Sequence, residues 1–367
     1  MAPLGDITPA EFLRDHWQKK PLLIRGAFPD FDAPLDGDEL AGLACDSDVE
    51  SRIIVTEPGP RYLLREGPFT ADDFAEREEQ PWTLLVQDVD KHLPEFASYL
   101  DAFAFLPEWR IEDLMVSWAS DGGSVGPHTD QYDVFLLQAR GRRRWTVGVN
   151  EADEWVLEPG DMLYVPPGVP HWGVAVGECM TWSIGLRAPS VLEVVTDFAE
   201  RAGETIPDTE RYRDPDMSET EAADGRLSDA AIARAIALLD AAHAAGRAHF
   251  PRWFGELVTA PKAWLHCVPP ALPLSRKALA DTLNAGTTLV RDPRSRMVWL
   301  PAGDALCVCV DGDSFETDAR LQPLVALLCT RRKFSHDALA GYLDDDQAMA
   351  LLVRLYAGGQ LMEFDDE

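Results

Sequence analysis

Short runs in which apolar and polar residues alternate fill the first half of the chain. Residues 52–56, 83–87, 132–138 and 162–165 each place every second side chain on one face, the period of a half-buried strand. Many such runs, closely spaced and separated by Gly-Pro turns over residues 1 to 190, predict a sandwich or barrel. From Ser190 the period changes. VLEVVTDFAERAGE and LSDAAIARAIALLDAAHAAGRAHFPRWFGELV carry apolar residues at helical spacing, with the polar stretch RYRDPDMSETEAADG between them. In the second segment, read as one long helix, Ile232, Ile236, Leu239 and Ala242 form a stripe. That stripe suits packing on the chain's own barrel and a homodimer interface equally well.

The proline-rich CVPPALPLSRK at 267–277 reads as a linker. Beyond it, helix signals (ALADTLNAG, LQPLVALLC, FSHDALAGYL, DQAMALLVRLYAGG) mix with short strands (MVWLP, ALCVCVDG, QLMEF), the order of a winged-helix-like α+β domain. The pattern thus divides the chain at 1–195, 196–266 and 267–367. A winged helix suggests DNA, but residues 266–367 hold ten Lys/Arg against fifteen Asp/Glu. That balance favours a protein-contact or structural role over direct nucleic-acid binding.

Composition narrows the class. The chain has 367 residues, 46% of them hydrophobic, enough for two or three cored domains. No run of about eighteen apolar residues occurs, which argues against a signal peptide or membrane span. Six scattered cysteines without a CxxC pair read as reduced structural thiols of a cytoplasmic protein and lack the spacing of a zinc knuckle. The formal charge of −30, from 63 acidic and 33 basic residues, repels phosphate backbones and attracts basic partners. The same acidity also serves solubility.

The chemistry concentrates in DLMVSWASDGGSVGPHTDQYDVFLLQARGRRRWTVG, residues 113–148. His128 and Asp130 stand two apart, so an extended chain turns both toward one point while Thr129 points away. A third ligand comes from LEPGDMLYVPPGVPHWGVAV, where an EPGD turn, a strand and a rigid PPGVP reversal place His171 at the start of a returning strand, 43 positions after His128. Either histidine alone would read as an ordinary hydrogen-bonded residue. Together, two His and one carboxylate leave three positions open on an octahedral ion, the arrangement of non-haem Fe(II) oxygenases. The carboxylate ligand also occupies the place a halide would need, so hydroxylation is preferred to halogenation.

A 2-oxoglutarate enzyme further needs a cation for the far carboxylate. In GRRRW, read as following a hairpin turn, Arg143 shares the interior side with Trp145 and Val147, while Arg142 and Arg144 face solvent. A planar, permanently charged guanidinium suits a bidentate carboxylate contact; a solvated basic patch is the plainer alternative. Ser117 and Ser183, on flanking strands, offer hydroxyls to the same cosubstrate or are satisfied by backbone.

FLRDHWQKKPLLIRG, WTLLVQDVDKH, GPHTDQYDVFLLQARGRRRW and LEPGDMLYVPPGVPHWG resemble the bacterial JmjC-type ribosomal oxygenases, in particular the branch that hydroxylates an arginine of the sixteenth large-subunit protein. The resemblance covers nearly the whole length. It implies a double-stranded β-helix of the cupin/JmjC jelly-roll type, then a helical dimerisation region and a C-terminal winged-helix domain. It makes His128, Asp130 and His171 the Fe(II) ligands and Arg143, with Ser117, the 2-oxoglutarate anchor, with dioxygen as the other cosubstrate. The chain departs from the family between RRRWTVG and LEPGD, where it has only VNEADEWV in place of a longer insertion. That difference bears on substrate docking and not on the metal site.

The resemblance gives the acidic balance a purpose, since a basic ribosomal protein would be drawn to this molecule. Asp121, in the SDGGS loop, is the candidate partner for the target guanidinium; a turn-forming Asp before Gly-Gly is the plainer alternative. The expected reaction is hydroxylation of the β-carbon of an arginine with release of succinate and CO₂. The rivals are JmjC-type action on another protein or a small molecule, including demethylation of a histone-like tail, and a non-catalytic cupin regulator.

Overall fold

A computed structural model describes residues 2–364 apart from 60, 76–79, 150–152, 216, 218–224 and 273. Part of the short segment discussed above, residues 150–152, therefore lies outside the described residues.

The first nine strands are β1 (Leu22–Ile24), β2 (Ser51–Glu57), β3 (Arg61–Glu66), β4 (Trp82–Val86), β5 (Ile111–Ala119), β6 (Val134–Val147), β7 (Asp153–Leu157), β8 (Met162–Val165) and β9 (His171–Leu186). They hydrogen-bond in the order β1-β8-β6-β9-β5-β4-β2-β3, with β7 on the far half of β6. All neighbours are antiparallel. β6 and β9 are long enough to serve two layers. Their halves at 134–138 and 181–185 join β5 and β8, while those at 142–147 and 171–176 pair with each other beside β7. This is the double-stranded β-helix.

The two faces of the sheet carry different residues. One face packs Leu84, Val86, Leu114, Val116, Trp182 and Ile184 into the main core. α1 (Pro9–Asp15), α2 (Gly37–Leu43) and α4 (Val89–His92) contribute Phe12, Leu40 and Val89 to that core; the short α3 (Ala71–Ala75) adds no buried residue. The other face lines the barrel. There Val134, Leu136, Trp145, Val147, Leu157, Leu163 and Val165 form a separate apolar cluster, and Ser117, Thr181 and Ser183 take the alternate positions of β5 and β9.

No hairpin turn separates residues 134–138 from GRRRW. β6 runs unbroken from Val134 to Val147, with register shifts between Gln138 and Arg140 and between Arg140 and Arg142. Gly141 sits there at φ +60, a left-handed conformation glycine adopts without a Cβ penalty, so the strand bulges instead of reversing. The expected side of Arg143 is nevertheless correct: Arg142 and Arg144 are exposed, and Arg143, Trp145 and Val147 are buried.

Asp133, fully buried just before β6, is bound to Tyr164 of the main core. Its carboxylate accepts hydrogen bonds from the Tyr164 hydroxyl at 2.5 Å, Gln18 Nε2 at 2.9 Å and Arg110 Nη2 at 3.2 Å. Burial and the Asp133 carboxylate push the Tyr164 phenol pKa well up, so it stays a donor. Asp133→Ala should lower stability by about 3 kcal/mol, because it leaves a nearly buried guanidinium without its counter-charge. Urea denaturation should show a lower midpoint at unchanged slope.

The remaining helices are α5 (Val191–Thr205), α6 (Asp229–Arg247), α7 (Phe250–Thr259), α8 (Arg276–Asn284), α9 (Gln322–Thr330), α10 (His336–Leu339) and α11 (Asp346–Ala357), with strands β10 (Thr288–Arg291), β11 (Met297–Ala302), β12 (Ala305–Val310), β13 (Asp313–Asp318), β14 (Lys333–Phe334) and β15 (Leu361–Phe364). The chain forms two compact units, each discontinuous in sequence. One contains residues 1–188, 263–294 and 330–367; its second sheet has the order β14-β10-β15. The other contains 189–262 and 295–329, where α5, α6 and α7 pack together and α7 lies on the β11-β12-β13 meander. The segment read as one long helix breaks at residue 248 into α6 and α7. Pro251 occupies the first turn of α7, where its missing N–H costs nothing, whereas inside a continuous helix it would break the ladder.

Candidate metal and cosubstrate site

His128 and His171 face each other across a two-residue bridge. His128 N–H donates to the His171 carbonyl at 3.1 Å and His171 N–H to the His128 carbonyl at 2.9 Å. Two residues on, the Asp130 carbonyl accepts from Gly168 N–H at 2.8 Å, inside the Pro-Pro-Gly turn. The backbone thus fixes all three positions. Asp130 Oδ2 lies 3.9 Å from His128 Nε2 and 3.5 Å from His171 Nε2, and one ligand atom from each residue falls within 4.8 Å of the others.

Each imidazole is oriented from behind. His128 Nδ1 is 3.0 Å from the Gly126 carbonyl, and His171 Nδ1 is 3.1 Å from the Val169 carbonyl. A carbonyl only accepts, so each Nδ1 carries the proton and each Nε2 presents a lone pair to the shared point. Burial lowers the His171 pKa, with the neighbouring His128 acting in the same direction. The neutral, ligating form is favoured. The loop before His128 is held by Ser124, whose hydroxyl donates to the Gly173 carbonyl at 2.7 Å and accepts from Trp172 Nε1 at 2.9 Å and Gly126 N–H at 3.0 Å.

Arg143 projects into the barrel from the strand opposite Ala175 and is 4% exposed. Its Nε and Nη2 are buried and meet no hydrogen-bond partner among the described residues. Its guanidinium lies over the Trp145 ring at 5.8 Å, and Trp145 is in turn 5.9 Å from the His171 ring. A Cβ at Gly173 would stand 2.8 Å from the Trp145 ring and 3.0 Å from Arg143 Cδ, so only glycine leaves room there for both side chains. A buried guanidinium with unanswered donors costs about 1–3 kcal/mol and is a preformed seat for a carboxylate.

A JmjC domain model matches residues 98–153 and 148–194, and a ROXA-like winged-helix model matches 238–362. The chain is 34% identical over 371 residues to the ribosomal protein uL16 3-hydroxylase of Escherichia coli K12, covering 95% of this chain and 96% of that protein. The chain belongs to the JmjC ribosomal oxygenases. It is also 35% identical over 247 residues, 61% of each chain, to a probable ribosomal oxygenase of Haemophilus influenzae. Among solved structures, the E. coli ribosomal oxygenase YcfD superposes with a TM-score of 0.84 at 34% identity, over all of both chains. The same enzyme in complex with cobalt and 2-oxoglutarate gives 0.84 over 98% of this chain and 99% of that one.

Set in a JmjC ribosomal oxygenase, the other expected residues fall as follows. Ser117, 3% exposed, faces the barrel and donates to the Thr181 carbonyl at 3.2 Å. Ser183, 9% exposed, lies on the same face between Met115 and Leu136. Asp121 is exposed, and its Oδ1 accepts from Gly177 N–H at 2.7 Å; it is not one of the ligand cluster. The EPGD aspartate is structural, since Asp161 accepts from Arg25 at 2.5 Å, Gly26 N–H and Glu158 N–H.

The barrel also brings together polar residues that sequence reading passed over. Arg52 Nη2 donates to Gln87 Oε1 at 2.8 Å, and Gln87 Nε2 donates to buried Asp113 at 2.6 Å. Tyr132 lies near this chain. Burial and the carboxylates of Asp130 and Asp113 push its phenol up to about 12, so the hydroxyl remains protonated beside the Asp130 carboxylate. The only local signal for Gln87 was its place in QDVDKH.

Proposed function

We propose that this chain is an Fe(II)- and 2-oxoglutarate-dependent dioxygenase that hydroxylates carbon 3 of an arginine in the large-subunit ribosomal protein uL16, releasing succinate and CO₂. The carrying observation is Arg143, buried with two unanswered donors on the same interior face as the His128–Asp130–His171 cluster. The ribosomal protein uL16 3-hydroxylase of E. coli and the probable ribosomal oxygenase of H. influenzae support the substrate class.

His128 and His171, each holding its proton on Nδ1, offer neutral donors, and Asp130 supplies the negative charge suited to a divalent ion. A bound Fe(II) supplies dioxygen activation coupled to oxidative decarboxylation of 2-oxoglutarate. Arg143 seats the far carboxylate of the cosubstrate, with Ser183, and Ser117 once its hydroxyl turns from the Thr181 carbonyl, donating along the same wall. The apolar lining around Trp145 and Leu136 excludes water from the reacting carbon. Asp121 is the carboxylate offered to the target guanidinium.

The acidity of the molecule, −30 in formal charge, favours a basic protein partner over nucleic acid. Exposed Ile232, Ile236 and Leu239 on α6 support a homodimer. No described helix is long and apolar enough to cross a membrane, and a ribosomal-protein substrate points to the cytoplasm. The test is mass spectrometry of a uL16 peptide incubated with the enzyme, Fe(II) and 2-oxoglutarate. One added oxygen on arginine, with matching succinate, is expected. Loss of a methyl group from a methylated peptide would instead mark a demethylase, and no peptide-stimulated succinate would sink the reading.

A further inference from the structure

β3 ends the large sheet, and among the described residues its strand partner is β2 alone. Which of its backbone groups point outward follows from the pairing. Gly67 N–H donates to the Ser51 carbonyl at 2.8 Å, which makes 51 and 67 a hydrogen-bonded pair in the register that joins Arg52 to Glu66. Such pairs recur every second residue, so Leu63 and Arg65 bond inward to β2, while the Arg61 N–H donates to the Gly59 carbonyl at 2.9 Å. Tyr62, Leu64 and Glu66 therefore turn their N–H and C=O groups to the open edge. The opposite side of β2 agrees, because Thr56 N–H donates to the Pro81 carbonyl and Gln87 N–H to the Glu50 carbonyl.

The side chains of those same three residues share the barrel-lining face. Register places Tyr62, Leu64 and Glu66 opposite Thr56, Ile54 and Arg52, and then through Leu85 alongside Ser117 and Thr181. The Tyr62 ring lies against Gly126, whose carbonyl orients His128. Leu64 is 56% exposed, although natural edge strands avoid an exposed apolar residue.

We propose that the open edge of β3 is the rail on which an extended segment of the protein substrate docks as an added strand, its alternate side chains turned toward the metal cluster. This rests on the protein-hydroxylase reading above. A row of alternating backbone donors and acceptors recognises polypeptide and not a small molecule. A strand added about 4.8 Å beyond β3 runs beside Tyr62, whose ring lies against the loop that orients His128. The acidic molecule, with Glu66 on the rail itself, suits a basic segment.

The test uses the full chain, Fe(II), 2-oxoglutarate and a uL16-derived peptide. Leu64→Pro deletes an outward N–H and leaves the β2 ladder whole, a position where edge strands accept proline. KM for the peptide should rise about tenfold with kcat little changed, the loss of about one hydrogen bond of uniform binding. Wild-type enzyme should also be assayed with peptides N-methylated at one amide at a time. KM should then alternate between raised and unchanged along the peptide, whatever the folding of the variant. A flat profile, or an unchanged KM in Leu64→Pro, overturns the rail while wild-type hydroxylation leaves the functional reading standing. Absence of wild-type hydroxylation overturns both. A change in sedimentation of Leu64→Pro without a change in KM would assign the edge to a second copy of this chain and overturn substrate docking there.

Discussion

Asp130→Ala should abolish turnover and weaken metal binding by more than about 100-fold, with the barrel still folded. Partners behind a ligand already account for about 10–100-fold in affinity, and Asp130 is the carboxylate of the three clustered residues. Removing it leaves two neutral imidazoles, no charge to offset a divalent cation, and a chelate reduced to two points. The fold should tolerate the change. Asp130 is 21% exposed on its side chain, and its backbone carbonyl, which holds Gly168, is untouched by the substitution. His171→Ala is a harsher variant, since His171 is 2% exposed and packed against Trp145, so loss of activity there would mix chemistry with folding. Calorimetric titration with Co(II) and an assay for succinate separate the two. Wild-type turnover in a folded Asp130→Ala protein would remove the metal site from the mechanism.

The clustering of His128, Asp130 and His171 was legible because its geometry is local. A two-residue spacing in extended chain and a Pro-Pro-Gly reversal determine where His128, Asp130 and His171 point, and the structure adds only the bridge that brings the two histidines together. Arg143 was legible by parity with Trp145 and Val147. The hairpin expected before it was wrong for a non-local reason. Gly141 stays in a strand because β9 runs alongside with an irregularity of its own, so the bulge is a property of the pair. The division of the long helical segment was available in Pro251 but was outweighed by the apolar period on both sides of it. Arg52, Gln87, Asp113 and Tyr132 had no such signal. The sheet order β6-β9-β5-β4-β2 gathers them from four separate stretches of chain, and nothing in any one stretch announces the others.

Arg143→Met should separate the cost of the site from its use. Without cosubstrate, Arg143 keeps buried donors unanswered, partly relieved by the Trp145 ring. An apolar residue of similar length fills the same space without that penalty, and such replacements are neutral or stabilising. The metal-free, cosubstrate-free variant should therefore melt at the wild-type temperature or above it, with a gain of about 1 kcal/mol. With 2-oxoglutarate the order reverses. The lost carboxylate contact should cost about 2 kcal/mol or more, which raises KM for 2-oxoglutarate roughly 30-fold or more at about 1.4 kcal/mol per decade. The thermal shift that cosubstrate and metal give the wild type should shrink accordingly. Arg143→Lys should recover little, because a single ammonium cannot reproduce the planar two-point contact. A purely structural role predicts the opposite pattern: a lower melting temperature without ligand and an unchanged KM. Melting curves with and without 2-oxoglutarate, set beside KM, decide between them.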